Sequence, residues 1–350
     1  MVAVKRIASF GAQASRNTGF APQPRDFRDT QSLELPIERV GEPDDPQAQL
    51  MRRREAAVHG TAEQRTNFLL KEVYVQTPDV THIVSTMEQL LGHAKLFSNP
   101  GGMRIIADSG MGKDALLRYL LKIYPPQPNA ILPRYPLIYV DFRNRLAPGE
   151  IIKALLEQMQ CAYKSYQSVR ELEDSLLHAM DACGTQGIVF NEAHHMVSVN
   201  KGTRRISARI AGEAGDWLKG FIDRIKRPVF LLGIPGWDEV FDLDPQLGSR
   251  IPHRHEISPF LFDASFMGIL QALDGAIPMP EPAGLAGNTI AQNLYTASRN
   301  KWRHLIHLLR DAIIAATKRG SPRIERCDLS WAYRLQFGPK DNPFDARRKS

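Results

Sequence analysis

The stretch Met103-Arg-Ile-Ile-Ala-Asp-Ser-Gly-Met-Gly-Lys-Asp114 decides the fold of this 350-residue chain. Its first residues are mostly apolar and predict a short buried strand, and the apolar spacing that follows it predicts a helix. Between the two, residues 107–114 occupy the place of a phosphate-binding loop, whose usual pattern is GxxxxGK[ST]. Gly110, Gly112 and Lys113 supply the tight turn and the positive charge that phosphate needs at a helix N-terminus. Taken alone, this loop could also be a glycine-rich turn with a surface lysine.

Two later stretches stand where a phosphate-binding fold places its other central strands. Gly187-Ile-Val-Phe-Asn-Glu-Ala-His194 has the form of a Walker B strand, in which an apolar run precedes a pair of acidic residues. The usual pair is Asp-Glu, where Asp holds the Mg²⁺ shell and Glu orients the attacking water; here it is Asn191 and Glu192. The run 229–233 follows at the place of a sensor strand. Three pieces in the correct order favour a nucleotide site over a chance turn.

Short apolar runs alternate with helical periodicities through the middle of the chain, which predicts a parallel sheet covered by helices on both faces. Beyond Pro259 no strand is predicted, and four helical stretches predict an α-helical lid. The predicted strands are 103–107, 137–142, 187–190 and 229–233, the main core helices are 81–97 and 206–225, and the lid helices are 264–273, 288–298, 301–319 and 327–335. The predicted domains are a partly extended N-terminal arm (1–75), an α/β core (76–260), a helical lid (261–336) and a flexible tail (337–350).

The chain resembles the TniB/TnsC-type transposition ATPases, an AAA+ P-loop family that selects target DNA and recruits a transposase. The resemblance covers roughly residues 81–335 and includes the loop at 107–114 and the Asn-Glu-Ala-His block. It also rests on Leu218-Lys-Gly-Phe-Ile-Asp-Arg224, Leu232-Gly-Ile-Pro235 and Asp244-Pro-Gln-Leu-Gly-Ser-Arg250. The resemblance implies an AAA+ fold, in which an α/β core with a parallel sheet flanked by helices precedes a small α-helical lid.

The resemblance also implies that ATP and Mg²⁺ are the cofactors, and it assigns roles to individual residues. Those expected around the nucleotide are Ser109, Gly110, Met111, Gly112, Lys113, Asp114, Ala115, Asn191 and Arg303. Glu192 would orient the attacking water. Arg250, with Arg254 as a second candidate, resembles an arginine finger that reaches the nucleotide of a neighbouring subunit. Arg303 resembles a second sensor at the start of a lid helix, although Lys301-Trp302 replace the small residues that the family has there.

Three positions of the phosphate loop and the Walker B pair depart from the family pattern, namely Ala107, Asp114 and Asn191, and Ile234 replaces the polar residue of the first sensor. Asp114 adds a negative charge beside the phosphates and Asn191 removes one from the opposite wall, so the two changes conserve the net charge of the site. Because Mg²⁺ binds carboxylate oxygens, we hypothesise that Asp114 takes over the metal-binding role of position 191. The alternative is a pseudo-ATPase, because a misplaced carboxylate repels a triphosphate. We expect ATP binding with slow or absent hydrolysis.

A basic loop follows the predicted Walker B strand, in the stretch Val199-Asn-Lys-Gly-Thr-Arg-Arg-Ile-Ser-Ala-Arg209. In AAA+ rings and filaments, loops after this strand face the central channel, so the resemblance implies contacts with duplex DNA. Such contacts fix position on the phosphate backbone and carry little sequence information. The alternative is a solvated basic helix start. The predicted DNA-binding residues are Lys201, Arg204, Arg205 and Arg209.

The composition agrees with a nucleic-acid partner. A formal net charge of +7 favours a polyanion. The three cysteines, Cys161, Cys183 and Cys327, are widely spaced and odd in number, which predicts reduced thiols rather than a disulfide framework. No run approaches the ~18 apolar residues that span a bilayer, and residues 1–20 lack the apolar core of an export signal. We therefore expect a bacterial cytoplasmic, nucleoid-associated protein with no membrane partner.

The predicted function is regulation of DNA transposition. ATP binding would let subunits assemble as a homo-oligomer, either a ring or a filament, on double-stranded DNA and so link a target-selector protein to the transposase. A pseudo-ATPase scaffold that binds DNA without nucleotide turnover is one alternative, and a conventional AAA+ motor is another. ATP dependence of DNA binding separates the regulator from the scaffold, and steady-state phosphate release identifies the motor.

Overall fold

Five parallel strands form the central sheet of the structure, a computed structural model that describes residues 46–94, 96, 100–142, 147–196 and 212–345. The strands are β1 (Gly102–Ile106), β2 (Leu137–Asp141), β3 (Gly187–Asn191), β4 (Val229–Gly233) and β5 (His253–Glu256). Their order across the sheet is β2-β3-β4-β1-β5, and every neighbouring pair is parallel. The carboxyl ends of the strands therefore meet at one edge, where ligands bind in open α/β sheets.

The helices of the described ranges agree with the predicted alternation of strands and helices. They are α1 (Pro46–Val58), α2 (Ala62–Lys71), α3 (Pro78–His93), α4 (Lys113–Ile123), α5 (Pro148–Gln158), α6 (Val169–Ala182), α7 (Gly212–Ile225), α8 (Val240–Leu243), α9 (Pro245–Arg250), α10 (Ala264–Ala276), α11 (Asn288–Ser298), α12 (Trp302–Lys318) and α13 (Arg326–Phe337). No helix within these ranges is both long and apolar enough to cross a lipid bilayer. The predicted α/β core with a helical lid is confirmed.

Successive side chains of the inner strands enter two separate cores. In β4, Val229 and Leu231 pack with α5, α6 and α7 on one face of the sheet. Phe230 and Leu232 pack with α3 and α4 on the other face. All four side chains are fully buried. Because side chains alternate between the faces of a strand, a strand that is covered on both faces has a continuous apolar sequence, as the prediction assumed.

The edge strand β5 was not among the predicted strands. Its sequence, His253-Arg-His-Glu256, has no apolar alternation, and its side chains are exposed or half-buried. Its backbone nevertheless pairs with β1, where Met103 lies opposite His253. An edge strand is fixed by backbone hydrogen bonds on one side and needs no apolar side chain there, so hydrophobic periodicity does not reveal it.

Part of the predicted N-terminal arm belongs to the lid core. Helix α2 begins at a capping box in which Thr61 and Gln64 each accept a hydrogen bond from the backbone N–H of the other. Leu69 of this helix is buried in the same core as α10 to α13, and Val73 and Val75 pack against that core. Residues 62–75 are therefore folded against the lid, whereas residues 1–45 of the predicted arm lie outside the described residues.

The first residues of the predicted flexible tail are also placed against the lid. Phe344 is only 2% exposed and lies in the lid core. The guanidinium of Arg326 donates a hydrogen bond to the carbonyl of Phe344 at 2.6 Å, and Arg334 forms an ion pair with Asp345 at 2.8 Å. Burial of one aromatic ring together with these charged contacts holds the segment up to residue 345.

We expect Gly233→Ala to lower the free energy of unfolding by about 3 kcal/mol, because overpacking a core costs about 1–3 kcal/mol or more. A Cβ at Gly233 would overlap the Trp237 indole, which is 6% exposed and packs against Phe241. Gly220 is the matched control, since a Cβ there meets nothing within 4 Å. Gly220→Ala in α7 should be neutral or stabilising by about 0.5 kcal/mol. Urea denaturation measures the free energy of unfolding of both variants. Equal denaturation midpoints for the two variants would contradict this prediction.

Candidate functional site

The loop between β1 and α4 is built on two glycines with left-handed backbone. Gly110 has φ +83° and Gly112 has φ +97°, values that glycine adopts without the steric cost of a Cβ. Gly112 is the N-cap of α4, so the unpaired N–H groups of the first helical turn begin at this loop. The loop therefore presents backbone donors and the positive end of a helix dipole, which together suit a phosphate group.

Lys113 is buried within this loop, with 6% of its surface exposed. Its ammonium donates hydrogen bonds to the carbonyl oxygens of Ala107 at 2.6 Å and of Asp108 at 3.4 Å. An ammonium has three donors, so a further one is available to a ligand. Burial lowers the pKa of Lys113, and the nearby carboxylates of Glu192 and Asp114 act in the opposite direction.

A cavity of about 580 Å³ borders the loop. Residues 109–115, the loop residues predicted to bind the cofactor, form one of its walls, and Glu192 lies beside them. Leu69 and Tyr74 contribute from the N-terminal segment, and the start of α12 closes the cavity from the lid. A concave site with mostly apolar walls and a few convergent polar groups is the usual form of a small-molecule site.

The lid contacts the phosphate loop directly. The backbone N–H of Arg303 donates a hydrogen bond to the carbonyl of Gly110 at 2.9 Å. A Cβ at Gly110 would lie 3.2 Å from Cβ of Arg303, which leaves little room for any residue other than glycine. Trp302 packs against both the lid core and the core formed by α3 and α4. The start of α12 therefore couples the lid to the loop, and it places Arg303 in the cavity wall. The sensor role of Arg303 stays a prediction.

Glu192 follows β3 with φ +53°, a left-handed conformation that is uncommon outside glycine. One of its carboxylate oxygens lies 3.5 Å from Nε2 of His194. Burial lowers the pKa of His194, which favours the neutral imidazole. Together with His195, these two residues bring three possible metal-binding atoms within 4.8 Å of one another. The turn after β3 thus holds the Glu192 side chain at the cavity through contact with its own neighbours.

Asn191 lies beneath the cavity at the end of β3 and is 1% exposed. Its side-chain N–H₂ donates to a carboxylate oxygen of Asp114 at 3.3 Å and to one of Asp141 at 3.4 Å. Among the described residues, the Oδ1 of Asn191 has no hydrogen-bond partner. Two of the substituted family positions, 114 and 191, are therefore in direct contact, and the carboxylate of Asp141 also contacts Asn191.

The two predicted arginine fingers lie away from the cavity of their own chain. The guanidinium of Arg250 forms two hydrogen bonds with the carboxylate of Asp223, at 2.8 and 2.6 Å, and this contact lowers the pKa of Asp223. Arg254, on β5, pairs with Asp238 at 2.6 Å and with Glu256 at 3.3 Å. This placement is compatible with a role toward a neighbouring subunit, which remains a prediction for both residues.

The predicted DNA-binding residues all lie between 197 and 211, outside the described residues. The described part of the chain places the end of β3 and the start of α7 on either side of this segment. The residues concerned are Lys201, Arg204, Arg205 and Arg209. Their contact with DNA therefore stays a prediction from the sequence.

Sequence reasoning missed three polar residues at the site. Arg118 and His307 line the cavity, and each lies one helical turn after a predicted residue, at position i+4 from Asp114 and from Arg303. Such spacing places side chains on the same helix face, so it was an available signal. Asp141 ends a strand that was correctly predicted, at the edge of the sheet where ligands bind. Its position beside β3 required knowledge of the strand order.

The fold resembles those of several solved proteins. The Aeropyrum pernix ORC1 protein in complex with DNA is 18% identical, with a TM-score of 0.55, over 77% of this chain and 69% of that one. CDC6P from Pyrobaculum aerophilum is 18% identical, with a TM-score of 0.53, over 76% and 70% of the two chains. The Aeropyrum pernix ORC2 protein in ADPNP–ADP complexes is 15% identical, with a TM-score of 0.55, over 77% and 72%. At these identities the likeness shows a shared fold.

Comparison with curated proteins gives no match in sequence. The family model described as bacterial TniB protein matches residues 65–257, which is more than half of the chain. The match contains the phosphate loop, the Asn191-Glu192 pair and Arg250, the motifs on which the predicted resemblance rested. The predicted AAA+ fold is likewise confirmed by the five-stranded parallel sheet and its structural neighbours. The chain therefore belongs to the TniB family and has the AAA+ P-loop fold.

Proposed function

We propose that this protein binds ATP with Mg²⁺, assembles as an oligomer on duplex DNA and links target selection to recruitment of a transposase. The observation that carries the proposal is the phosphate cradle between β1 and α4 in a TniB-family chain. Gly110, Gly112 and Lys113 form the cradle at the N-terminus of α4, and Arg303 of the lid borders the same cavity. A bound nucleotide would contact both the core and the lid, so its binding can set their relative arrangement.

Nucleotide binding is supported by the charge and the shape of this cavity. Lys113 offers an ammonium donor inside the loop, and the first turn of α4 offers backbone N–H groups, both of which favour the phosphates of ATP. The half-buried rings and apolar side chains around Leu69 and Tyr74 suit a base. The ORC2 structure with a similar fold is described as ADPNP–ADP complexes, which is compatible with the same use of the cavity here.

The residues beside the loop fit a magnesium ion. Mg²⁺ prefers oxygen ligands, and the carboxylate of Asp114 lies beside the phosphate cradle, in the cavity wall. The buried Oδ1 of Asn191, which has no hydrogen-bond partner among the described residues, is a second oxygen close by. Asp114 would thus carry the role that the family gives to position 191. The ion would neutralise charge on the β- and γ-phosphates.

Glu192 is the proposed group that orients water for hydrolysis. It lies in the cavity wall, and its contact with His194 restrains its side chain. The metal-binding residues differ from the usual ones, and phosphoryl transfer depends on exact placement of charge. We therefore propose that turnover is slow or absent, so that bound ATP acts as a lasting signal for assembly.

DNA binding is supported by the net charge of +7 and by the basic stretch after β3. The ORC1 structure with a similar fold is described as a complex with DNA. The proposed contacts, from Lys201, Arg204, Arg205 and Arg209, address phosphates and need no particular base sequence. Target choice would then come from a separate selector protein, and the location would be the bacterial nucleoid.

A pseudo-ATPase scaffold is the second candidate, because Asp114 places a carboxylate next to the phosphates. In that case the cavity no longer controls assembly, and the protein bridges DNA and transposase without a nucleotide signal. The two candidates differ in one measurable property, which is the effect of ATP on DNA affinity.

We expect fluorescence anisotropy with a labelled random duplex to show tight, cooperative binding only when ATP and Mg²⁺ are present. Four phosphate contacts per subunit, each contributing a slope of about −0.9, should reduce the affinity about 100-fold between about 50 and about 200 mM salt. Alanine at both Arg204 and Arg205 should lower that slope by about 2. The matched control replaces Lys318 and Arg323 of the lid, and it should leave the slope unchanged.

Each alternative gives a different result in this assay or in a phosphate-release assay run alongside it. Binding that is indifferent to ATP would favour the scaffold. Steady release of phosphate during the titration would identify a conventional motor. If the protein bound no DNA at either salt concentration, with or without ATP, the proposed role on DNA would be wrong.

A further inference from the structure

Three side chains of the turn after β3 converge without a hydrogen bond to one another. They belong to Glu192, His194 and His195, and each offers one metal-binding atom within 4.8 Å of the other two. The backbone N–H of His195 donates to the carbonyl of Glu192 at 3.0 Å, and Glu192 has φ +53°. The short 3-10 turn Ala193–Met196 continues directly from this point. Local backbone geometry therefore holds the three groups together.

The three groups lack hydrogen-bond partners within the part of the chain that the structure describes. One carboxylate oxygen of Glu192 lies 3.5 Å from Nε2 of His194, which is too long for a good hydrogen bond. The other nitrogen of His194, Nδ1, is buried and also has no partner among the described residues. The rings of His194 and His195 lie 4.3 Å apart. Such convergence of unsatisfied polar groups points to a missing ligand.

A metal ion between the three groups fits their spacing. Zinc binds imidazole nitrogen at about 2.0–2.1 Å and carboxylate oxygen at about 2.0–2.2 Å, so two ligands of a tetrahedral zinc ion lie about 3.4 Å apart. The 3.5 Å between the carboxylate of Glu192 and Nε2 of His194 agrees with that separation. The remaining separations are all within 4.8 Å, and small side-chain rotations bring them to the same value.

Coordination also satisfies atoms that are otherwise unpaired. Burial lowers the pKa of His194, and the neutral imidazole that results has one N–H and one lone pair. A metal ion at Nε2 gives that lone pair a partner, and the carboxylate of Glu192 gains one at the same time. The ammonium of Lys113 lies close enough to affect His194, but the carboxylates of Asp108 and Asp114 offset its charge.

We propose that Glu192, His194 and His195 form a binding site for zinc or a similar divalent transition-metal ion. Two imidazoles and one carboxylate are a known ligand set for zinc, and they leave a fourth position open to water or an anion. Mg²⁺ prefers oxygen ligands, so this site differs from the proposed magnesium site at Asp114.

The position of the site gives the metal ion a consequence for the nucleotide cavity. Glu192 lies in the cavity wall, and a zinc ion there takes up the carboxylate that the proposed function assigns to the orientation of water. Metal binding itself requires no nucleotide, so the inference stands or falls independently of the proposed function.

The test uses the full-length protein without nucleotide and without a histidine tag, because such a tag binds the same ions. Co²⁺ is the probe, since a Co²⁺ ion in a tetrahedral site absorbs visible light and Zn²⁺ displaces it. We expect the wild type to show this absorption and to lose it when Zn²⁺ is added. His195→Ala should weaken Co²⁺ binding at least about tenfold. Glu192→Gln, which keeps the shape of the side chain and removes its charge, should weaken it as well.

His178→Ala is the matched control, because His178 is exposed on α6 and its loss should leave Co²⁺ affinity unchanged. Circular dichroism checks that each variant is folded. Zn²⁺ should raise the melting temperature of the wild type but not that of His195→Ala, because a ligand that binds only the folded state stabilises it. The inference would be overturned if the wild type showed no tetrahedral Co²⁺ absorption, or if folded His195→Ala and Glu192→Gln bound Co²⁺ as tightly as the wild type.

Discussion

Replacing Lys113 with alanine is expected to weaken ATP binding by about 100-fold or more. The variant removes the buried ammonium from the centre of the phosphate loop, where it is held by the carbonyls of Ala107 and Asp108. A hydrogen bond to a charged group contributes about 1.5–3 kcal/mol, and a 100-fold change in Kd corresponds to about 2.8 kcal/mol. Equilibrium titration with a fluorescent ATP analogue measures the effect directly.

Lys122 provides a matched control for this variant. It lies on the same helix, is 45% exposed and pairs with Glu72 at 2.8 Å. Lys122→Ala removes an equal charge from α4 and should leave ATP affinity within about twofold, because exposed ion pairs contribute little. Thermal denaturation of both variants checks that each is folded. A Lys113→Ala protein that is folded and binds ATP like the wild type would rule out the loop as the phosphate site.

The same lysine predicts the direction of a pH effect. Burial lowers the pKa of Lys113 below the ordinary lysine value of about 10.4. Only the protonated amine carries the charge that phosphate binds, so ATP affinity should fall as the pH is raised toward this lowered pKa. The phosphates stabilise the protonated form, and binding on the alkaline side should therefore take up a proton. Lys113→Ala should lack this alkaline loss.

The phosphate loop was predictable from the sequence because its chemistry needs particular residues at a fixed spacing. Gly110, Gly112 and Lys113 keep their places although Ala107 and Asp114 depart from the pattern, and an apolar strand precedes them as the fold requires. Only glycine accepts the left-handed backbone without cost, and a lysine at the helix start adds positive charge to the backbone N–H groups that bind phosphate. Local physical requirements of this kind are visible in a single sequence.

The remaining features depend on which elements become neighbours in space. Asp141 and Asn191 are 50 positions apart, and they meet because β2 pairs with β3. That pairing depends on how the whole sheet packs. Strand β5 has no apolar signature, since its partner β1 fixes it through the backbone. Helix α2 joins the lid through Leu69, whose partners are more than 190 residues further along the chain. Periodicity within one segment does not contain such information.

Replacing Arg250 with alanine is expected to abolish the ATP-dependent gain in DNA affinity, a loss of at least about tenfold, while nucleotide binding by a single chain is retained. The guanidinium lies outside the cavity of its own chain and is held by Asp223 and by the carbonyl of Gln246. A finger in trans must leave these contacts and reach a neighbour's phosphates. Partly exposed ion pairs contribute only about 0–1 kcal/mol, whereas a hydrogen bond to a charged group contributes about 1.5–3 kcal/mol. Breaking the contacts of Arg250 with Asp223 and Gln246 therefore costs less free energy than a new contact with a neighbour's phosphates provides.

Asp223→Asn separates the two roles that Arg250 could have. If Arg250 matters only through its ion pair, then Asp223→Asn and Arg250→Ala should reduce assembly equally. If Arg250 is a finger, Asp223→Asn frees the guanidinium, and assembly on the duplex should be preserved or strengthened.

Arg254→Ala tests the second candidate, Arg254 of the edge strand β5, which pairs with Asp238. Sedimentation of each variant with a duplex and ATP measures assembly. The finger is the arginine whose replacement leaves ATP bound to each chain but prevents assembly of the subunits. If both arginine variants assembled like the wild type, neither residue would be a finger, and ATP would have to promote assembly through the contact of the lid with the phosphate loop.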